Sequence, residues 1–222
     1  GTQLTMRTFH VGGIAGAADI TMGLPRIEEI FELRVPKNPA AVCNIAGAVS
    51  AVADAPDETR DKIIKVLGEA EESEFKVPFG KTILVAEGEH VEPGTLLTEG
   101  AADIKELLSV AGVKAAQNYI LFEVQQLYTF QGASVNDKHI EAIVRQMFSR
   151  VRVKDPGSTK LSVGEIIEKS KLREENTRVR QGGGASAIPA KAVQLMMGIT
   201  NVALTTESFL SAASFMQTMR VL

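Results

Sequence analysis

The chain has 222 residues, 45% of them hydrophobic and 23% charged, the balance of a globular protein with room for one large core or two small ones. Its formal net charge of −3 excludes a free-standing duplex-DNA binder of the basic kind. No apolar run approaches the roughly 18 residues of a membrane span, and no basic stretch followed by an apolar one opens the chain, so a cytosolic protein is expected.

Residues 2–11 read as a helix that places Gln3, Met6, Arg7 and His10 on one face at i, i+3, i+4 and i+7. An amide, a thioether, a guanidinium and an imidazole in that order suit a nucleoside triphosphate. The thioether packs on a base, the amide bonds a ribose hydroxyl, and Arg and His meet phosphates through charge-assisted bonds. A partly exposed amphipathic helix is the plainer reading of the same pattern. Gly12 and Gly13 stop this helix, and Gly16 lies in the Ala- and Gly-rich tip that follows. A second helix is expected from about Leu24 to Arg34, with Pro25 in its first turn, Glu28 and Glu29 toward its positive end, and Ile27, Ile30 and Phe31 on one face. The two make a helical hairpin whose short first arm and glycine tip are marginal until something rewards their ordering.

Pro36 and Pro39 break the chain, and Ala40–Val52 reads as short strands. Cys43, alone among Ala, Val and Ile, reads as a buried thiol, unable to form a disulfide or a cysteine metal site. Asp54–Glu74 is charged and helix-compatible around Ile63, Ile64 and Leu67. From Lys81 to Gly100, apolar runs alternate with turns at Glu87–His90 and Val91–Gly94, which predicts strands. This spacing resembles that of a barrel-sandwich hybrid. A carrier version of that module needs an acceptor lysine at a hairpin tip, where these turns carry Gly88, His90 and Pro93, so a structural role is expected.

Asp103 is expected to cap a short helix that ends at Gly112. A longer one follows over Val113–Phe130, with Ala116, Ile120, Val124, Leu127 and Tyr128 along a stripe. Asn136 and Asp137 open a third, whose Ile140, Ile143, Val144, Met147 and Phe148 form a core face while Lys138, His139, Glu141 and Arg145 point elsewhere. Arg150, Arg152 and Lys154 follow on a β-like stretch. The charged run Lys169–Arg180 reads as a solvated face and leads into Gly182–Gly184, which reads as a surface loop or linker. Ile199-Thr-Asn201 introduces a final helix bearing Phe209, Ala212, Phe215, Met216 and Arg220. No second His or Cys stands at ligand spacing from His139, and no metal is assigned to the chain.

The string Gly1-Thr-Gln-Leu-Thr-Met-Arg-Thr-Phe-His10 resembles the start of the trigger loop in the largest (beta-prime) subunit family of bacterial DNA-directed RNA polymerase. Leu24-Pro-Arg26 with Phe31-Glu32, Asn136-Asp-Lys-His-Ile-Glu141, Ile143-Val-Arg-Gln-Met147 and Thr206-Glu-Ser-Phe209 look like the same family in the same order. Residues 50–75 and 154–195 match poorly, as surface segments do.

The resemblance implies an α+β chain divided into a trigger-loop hairpin at 1–35, a β-rich jaw or hybrid module at 36–102, a helical core segment at 103–154, a variable β/loop segment at 155–197 and a switch-type C-terminal helix at 198–222. It implies that Gln3 contacts the ribose, Met6 stacks on the incoming base, Arg7 holds the distal phosphates, and His10 donates a proton or a positive charge to the leaving group. Arg220 becomes a candidate nucleic-acid contact. The family usually has Lys at the position of Asn201 and Gln at that of Met216, which weakens the expected grip of this segment on phosphates. The catalytic carboxylates and their Mg2+ are implied to lie on sequence outside this chain, so the isolated chain is expected to be an inactive fragment, excised or naturally split. Implied partners are the remainder of beta-prime, the beta, alpha-dimer and omega subunits, sigma factor, template DNA, product RNA and NTPs. The implied location is the bacterial cytosol or nucleoid, with a plastid as the alternative. A non-catalytic nucleic-acid clamp or assembly module is the second functional reading.

Overall fold

Residues 23–54, 60–68, 71–182, 188–206 and 210 are described by the structure, a computed structural model. The elements in chain order are α1 (Leu24–Glu32), β1 (Gly47–Asp54), β2 (Lys62–Gly68), β3 (Glu72–Val77), β4 (His90–Val91), α2 (Ile104–Phe130), α3 (Asp137–Met147), β5 (Arg150–Asp155), β6 (Ile166–Glu168), α4 (Lys169–Gly182), β7 (Lys191–Gln194) and α5 (Ile199–Leu204). The mixture is α+β, as expected. The chain divides into two units, one of Leu33–Gln126 and one that joins Gly1–Glu32 to Leu127–Leu222.

In the Leu33–Gln126 unit, β1 to β4 form an antiparallel sheet in the order β3-β2-β1-β4. Here the expected helix-compatible stretch Asp54–Glu74 is corrected, because β2 and the start of β3 occupy it. Ile63, Ile64 and Leu67 mimic a helical stripe, but Ile64 and Val66 alternate inward at the strand period and are fully buried. β-branched residues at 63, 64 and 66 favour the pleated surface once β1 and β3 flank it. Ser50 lies at a register break between Val49 and Ala51, a bulge that lets one strand bend.

Cys43, Val49, Ile64, Val66, Val77, Val85, Val91 and Leu97 form the core of this unit. The Cys43 thiol is fully buried and donates to the Ile45 carbonyl at 3.1 Å. The strands expected between residues 81 and 100 reduce to β4 and two isolated bridges, Ile83 with Thr98 and Val42 with Leu96. Side chains supply part of the missing ladder: buried Thr98 accepts from the Ala41 amide at 2.9 Å. On the exposed face of β2 and β3, Lys65 meets Glu74 at 2.5 Å; the hydrogen bond and the charge of that carboxylate hold the lysine above its ordinary pKa.

Asp103 accepts from the Lys105 amide at 2.9 Å and opens α2 as expected. α2 is two helices in succession, broken at Gly112 where φ is 82° and ψ −177°. Beyond the break Ala116, Ile120 and Val124 are fully buried along one stripe, and the Tyr119 hydroxyl accepts from the Ala102 amide at 2.9 Å.

In the other unit, Asn136 caps α3 by accepting from the Lys138 amide at 3.0 Å. Ile140, Val144, Met147 and Phe148 are buried. Ile143, expected on the same face, is 36% exposed, which corrects the predicted core face. β5 is the centre of a three-stranded antiparallel sheet, β6-β5-β7. Val151, Val153 and Ile167 face its core with Leu161, Leu172 and Ala192 against them. The charged run expected as a solvated face is the helix α4, Lys169–Gly182, with no buried residue. Leu172, Asn176 and Val179, all part-buried, share one side by helical spacing. The Asn176 side chain pairs with the backbone of Ala190, donating at 3.1 Å and accepting at 2.7 Å. That two-way bond anchors a helix whose other faces carry charge.

Candidate functional site

Gln3, Met6, Arg7, His10, Gly12, Gly13, Gly16 and Arg220 lie outside the described residues, as do Phe209, Ala212, Phe215 and Met216 of the expected final helix. What the structure describes is the root onto which the first of these segments runs. That root is α1. The Gly23 carbonyl accepts from the amides of Arg26 and Ile27 at 3.0 and 3.3 Å, which starts the helix. Pro25 sits in the first turn, where an amide proton has no intrahelical partner to lose. α1 stops at Glu32, short of the expected Arg34, because Leu33 takes a left-handed φ of 55°.

Arg26, Ile27 and Ile30 are buried on α1, whereas Phe31 is only part-buried. A buried guanidinium needs compensation, and Glu29 one turn on supplies a carboxylate oxygen at 3.3 Å from its Nη1. At the far end of α1 the Glu32 carboxylate turns to α5. Its Oε1 accepts from the Thr200 hydroxyl at 2.6 Å and from the Thr200 amide at 3.3 Å. α5 is preceded by Gly198, which has an extended backbone and no side chain with which to cap the helix. A Cβ at Gly198 would stand 2.9 to 3.0 Å from Glu32 atoms, backbone included, so only glycine lets the two helices approach this closely.

α5 is fixed from its other neighbours too. α3 packs on it, and the Met197 amide donates to the Met147 carbonyl at 3.0 Å just before its start. Around β5, Arg150 is 4% exposed and reaches Glu168 at 2.7 Å. The Gln194 side-chain Nε2 donates to the carbonyls of Phe148 and Arg150, each at 2.9 Å. These polar groups brace the end of α3 against the sheet.

The sequence profile of the family described as RNA polymerase Rpb1, domain 5, matches residues 1–207. The chain belongs to that family. Across its full length it is 47% identical over 223 residues to a protein of Lacticaseibacillus casei named DNA-directed RNA polymerase subunit beta'. Proteins of the same name from Clostridium beijerinckii and Caldicellulosiruptor saccharolyticus are 47% and 48% identical, over 224 and 223 residues. The chain spans 18% of the length of each of these relatives.

Among the described residues of this Rpb1 domain 5 chain, no group of three or more His, Cys, Asp or Glu side chains is placed to hold a metal ion. No helix among the described residues is long and apolar enough to cross a membrane. His139 is exposed, and so are Lys138, Glu141 and Arg145. Asn201, where a lysine was expected from the family, is exposed on α5, and its carbonyl accepts from the Thr205 amide at 3.0 Å.

The placements of two charged residues escape a reading by sequence pattern. Glu32 looks like an ordinary acidic residue at the end of a helix, and its only signal is membership of Phe31-Glu32. Arg150 looks like the first of three solvated cations at 150, 152 and 154, yet it is buried while Arg152 and Lys154 are exposed.

Proposed function

We propose that this chain carries the trigger loop of a DNA-directed RNA polymerase beta-prime subunit and takes part in template-directed RNA synthesis. The observation that carries this reading is the identity near 47% across the whole chain to proteins of that name, joined to the unbroken motif from Gly1 to His10. Residues 3–10 close as a helix over the incoming NTP. Gln3 bonds the ribose, Met6 lies on the base, Arg7 holds the distal phosphates, and His10 brings a proton or a positive charge to the departing pyrophosphate. Gly12, Gly13 and Gly16 make the tip that lets this arm open and reclose, and a matched base rewards closure where a mismatched one does not.

In this reading α1 is the second arm of the hairpin. The β-rich stretch 36–102 serves as the hybrid or jaw module, and residues 198–222 lead into the base of the clamp, with Arg220 toward nucleic acid. The chain works within beta-prime, beside beta, the alpha dimer, omega and sigma, on template DNA and nascent RNA in the cytoplasm. Mg2+ held elsewhere in the enzyme supplies charge neutralisation at the phosphates.

Nucleotide addition on a primed template, by complete enzyme carrying this segment, tests the proposal. Arg7→Ala and His10→Ala each lower the addition rate with assembly unchanged. The His10 change costs on the order of 10² to 10⁴ if the imidazole is a general acid. His10→Gln keeps a hydrogen bond and removes the acidity, so a near-normal rate for that variant restricts His10 to positioning. An unchanged rate in both alanine variants sinks the proposal.

A further inference from the structure

We infer that Glu32 is a positioning residue for loop closure: its carboxylate clamps the root of the loop to α5 by acting as the cap that α5 lacks. This rests on the proposed trigger-loop reading and extends it from the residues that touch the nucleotide to one that does not.

The argument begins at the start of α5. The first amides of a helix have no intrahelical acceptor, and a side chain at the residue before the helix normally meets the second or third of them. Gly198 occupies that place and has nothing to offer. Thr200 is the second residue of α5, and its amide and hydroxyl both donate to Glu32, 168 positions earlier in the chain. Glu32 is the last residue of α1, so the bond is made at the end of the arm opposite to the loop's tip. The close fit of Gly198 against Glu32 leaves no room for a local cap to replace it.

A loop that alternates between open and closed needs one immobile end. If the root of α1 is loose, each closure must also order that root, and the fraction of enzyme in the closed state falls by the corresponding factor. The clamp removes this cost in advance. It joins two pieces of chain that the sequence keeps far apart and that carry separate parts of the family motif, Phe31-Glu32 and Thr206-Glu-Ser-Phe209.

The test is single-nucleotide addition by the complete enzyme, measured for Glu32→Ala, Glu32→Gln and Thr200→Val, each also combined with Arg7→Ala. Glu32→Ala is expected to lower the maximal addition rate about three- to tenfold, the equilibrium equivalent of one lost helix cap. Thr200→Val lowers it similarly, and the Glu32→Ala, Thr200→Val double variant is no worse than either alone. Glu32→Gln retains an acceptor for the Thr200 hydroxyl and recovers most of the rate. In the Arg7→Ala background, where closure no longer drives addition, Glu32→Ala and Glu32→Gln have no further effect.

Arg7→Ala and His10→Ala enzymes both as fast as the parent overturn the trigger-loop reading itself. A slow Arg7→Ala enzyme that Glu32→Ala slows again by its full factor leaves that reading standing and overturns the inference, since Glu32 would then act on the scaffold. If Glu32→Ala prevents assembly, the decision passes to Glu32→Gln and Thr200→Val. A parent rate in Thr200→Val overturns the clamp.

Discussion

Asn136 and Glu32 solve the same problem in different ways. Asn136 accepts from the amide two residues on in its own chain, and a residue of that type before an apolar stripe announces itself in the sequence. Asn136→Ala is expected to destabilise its unit by about 1 kcal/mol, read as a shifted urea midpoint with an unchanged slope. Glu32 caps a helix from far away in the sequence, and nothing near Gly198 says where its acceptor comes from. The core positions divide in a similar manner. Cys43 and Met147 are fully buried, as their apolar neighbours suggest. Ile143 sits at the flank of the stripe made by Ile140, Val144 and Met147, and a flanking position is covered only if a neighbouring element reaches it.

Gly112 sets the geometry of α2. Two helical patterns meet there, and the backbone takes a conformation that residues with a Cβ avoid. Gly112→Ala finds open space for its methyl group, so its effect isolates backbone strain from packing. The expected loss is about 1 to 3 kcal/mol in chemical denaturation of the chain. An unchanged midpoint would mean that the two helices can merge. The break was legible because a glycine between two offset stripes is a local signal. The strands β2 and β3 were not, because Ile63, Ile64 and Leu67 satisfy a helix as well as a strand until β1 provides a pairing partner. α4 escaped for another reason. Its inward side is held by the part-buried Leu172 and Val179 and by the Asn176 bond to Ala190, too narrow a stripe to stand out among charges.

At the scale of the whole molecule the unit that contains α1 is discontinuous in sequence, with Gly1–Glu32 joined to Leu127–Leu222. The proposed chemistry is divided in the same spirit, with NTP-closing residues in this chain and metal-binding carboxylates elsewhere in the enzyme. The isolated chain is therefore expected to add no nucleotide to a primed template even with NTPs and Mg2+, while the same chain restored to complete enzyme does so. Template-directed addition by the isolated chain would overturn that division.

By itself the sequence determined the family, the caps of α2 and α3, the break at Gly112, the burial of Cys43 and the residues proposed to meet the nucleotide, because each is written in neighbours within one or two turns. Tertiary structure alone decided that Lys62–Gly68 and Glu72–Val77 are strands, that Arg150 is buried against Glu168, and that Glu32 belongs to α5. Those outcomes depend on which partners arrive from distant parts of the chain, and a pairing energy has no value until both partners are in place.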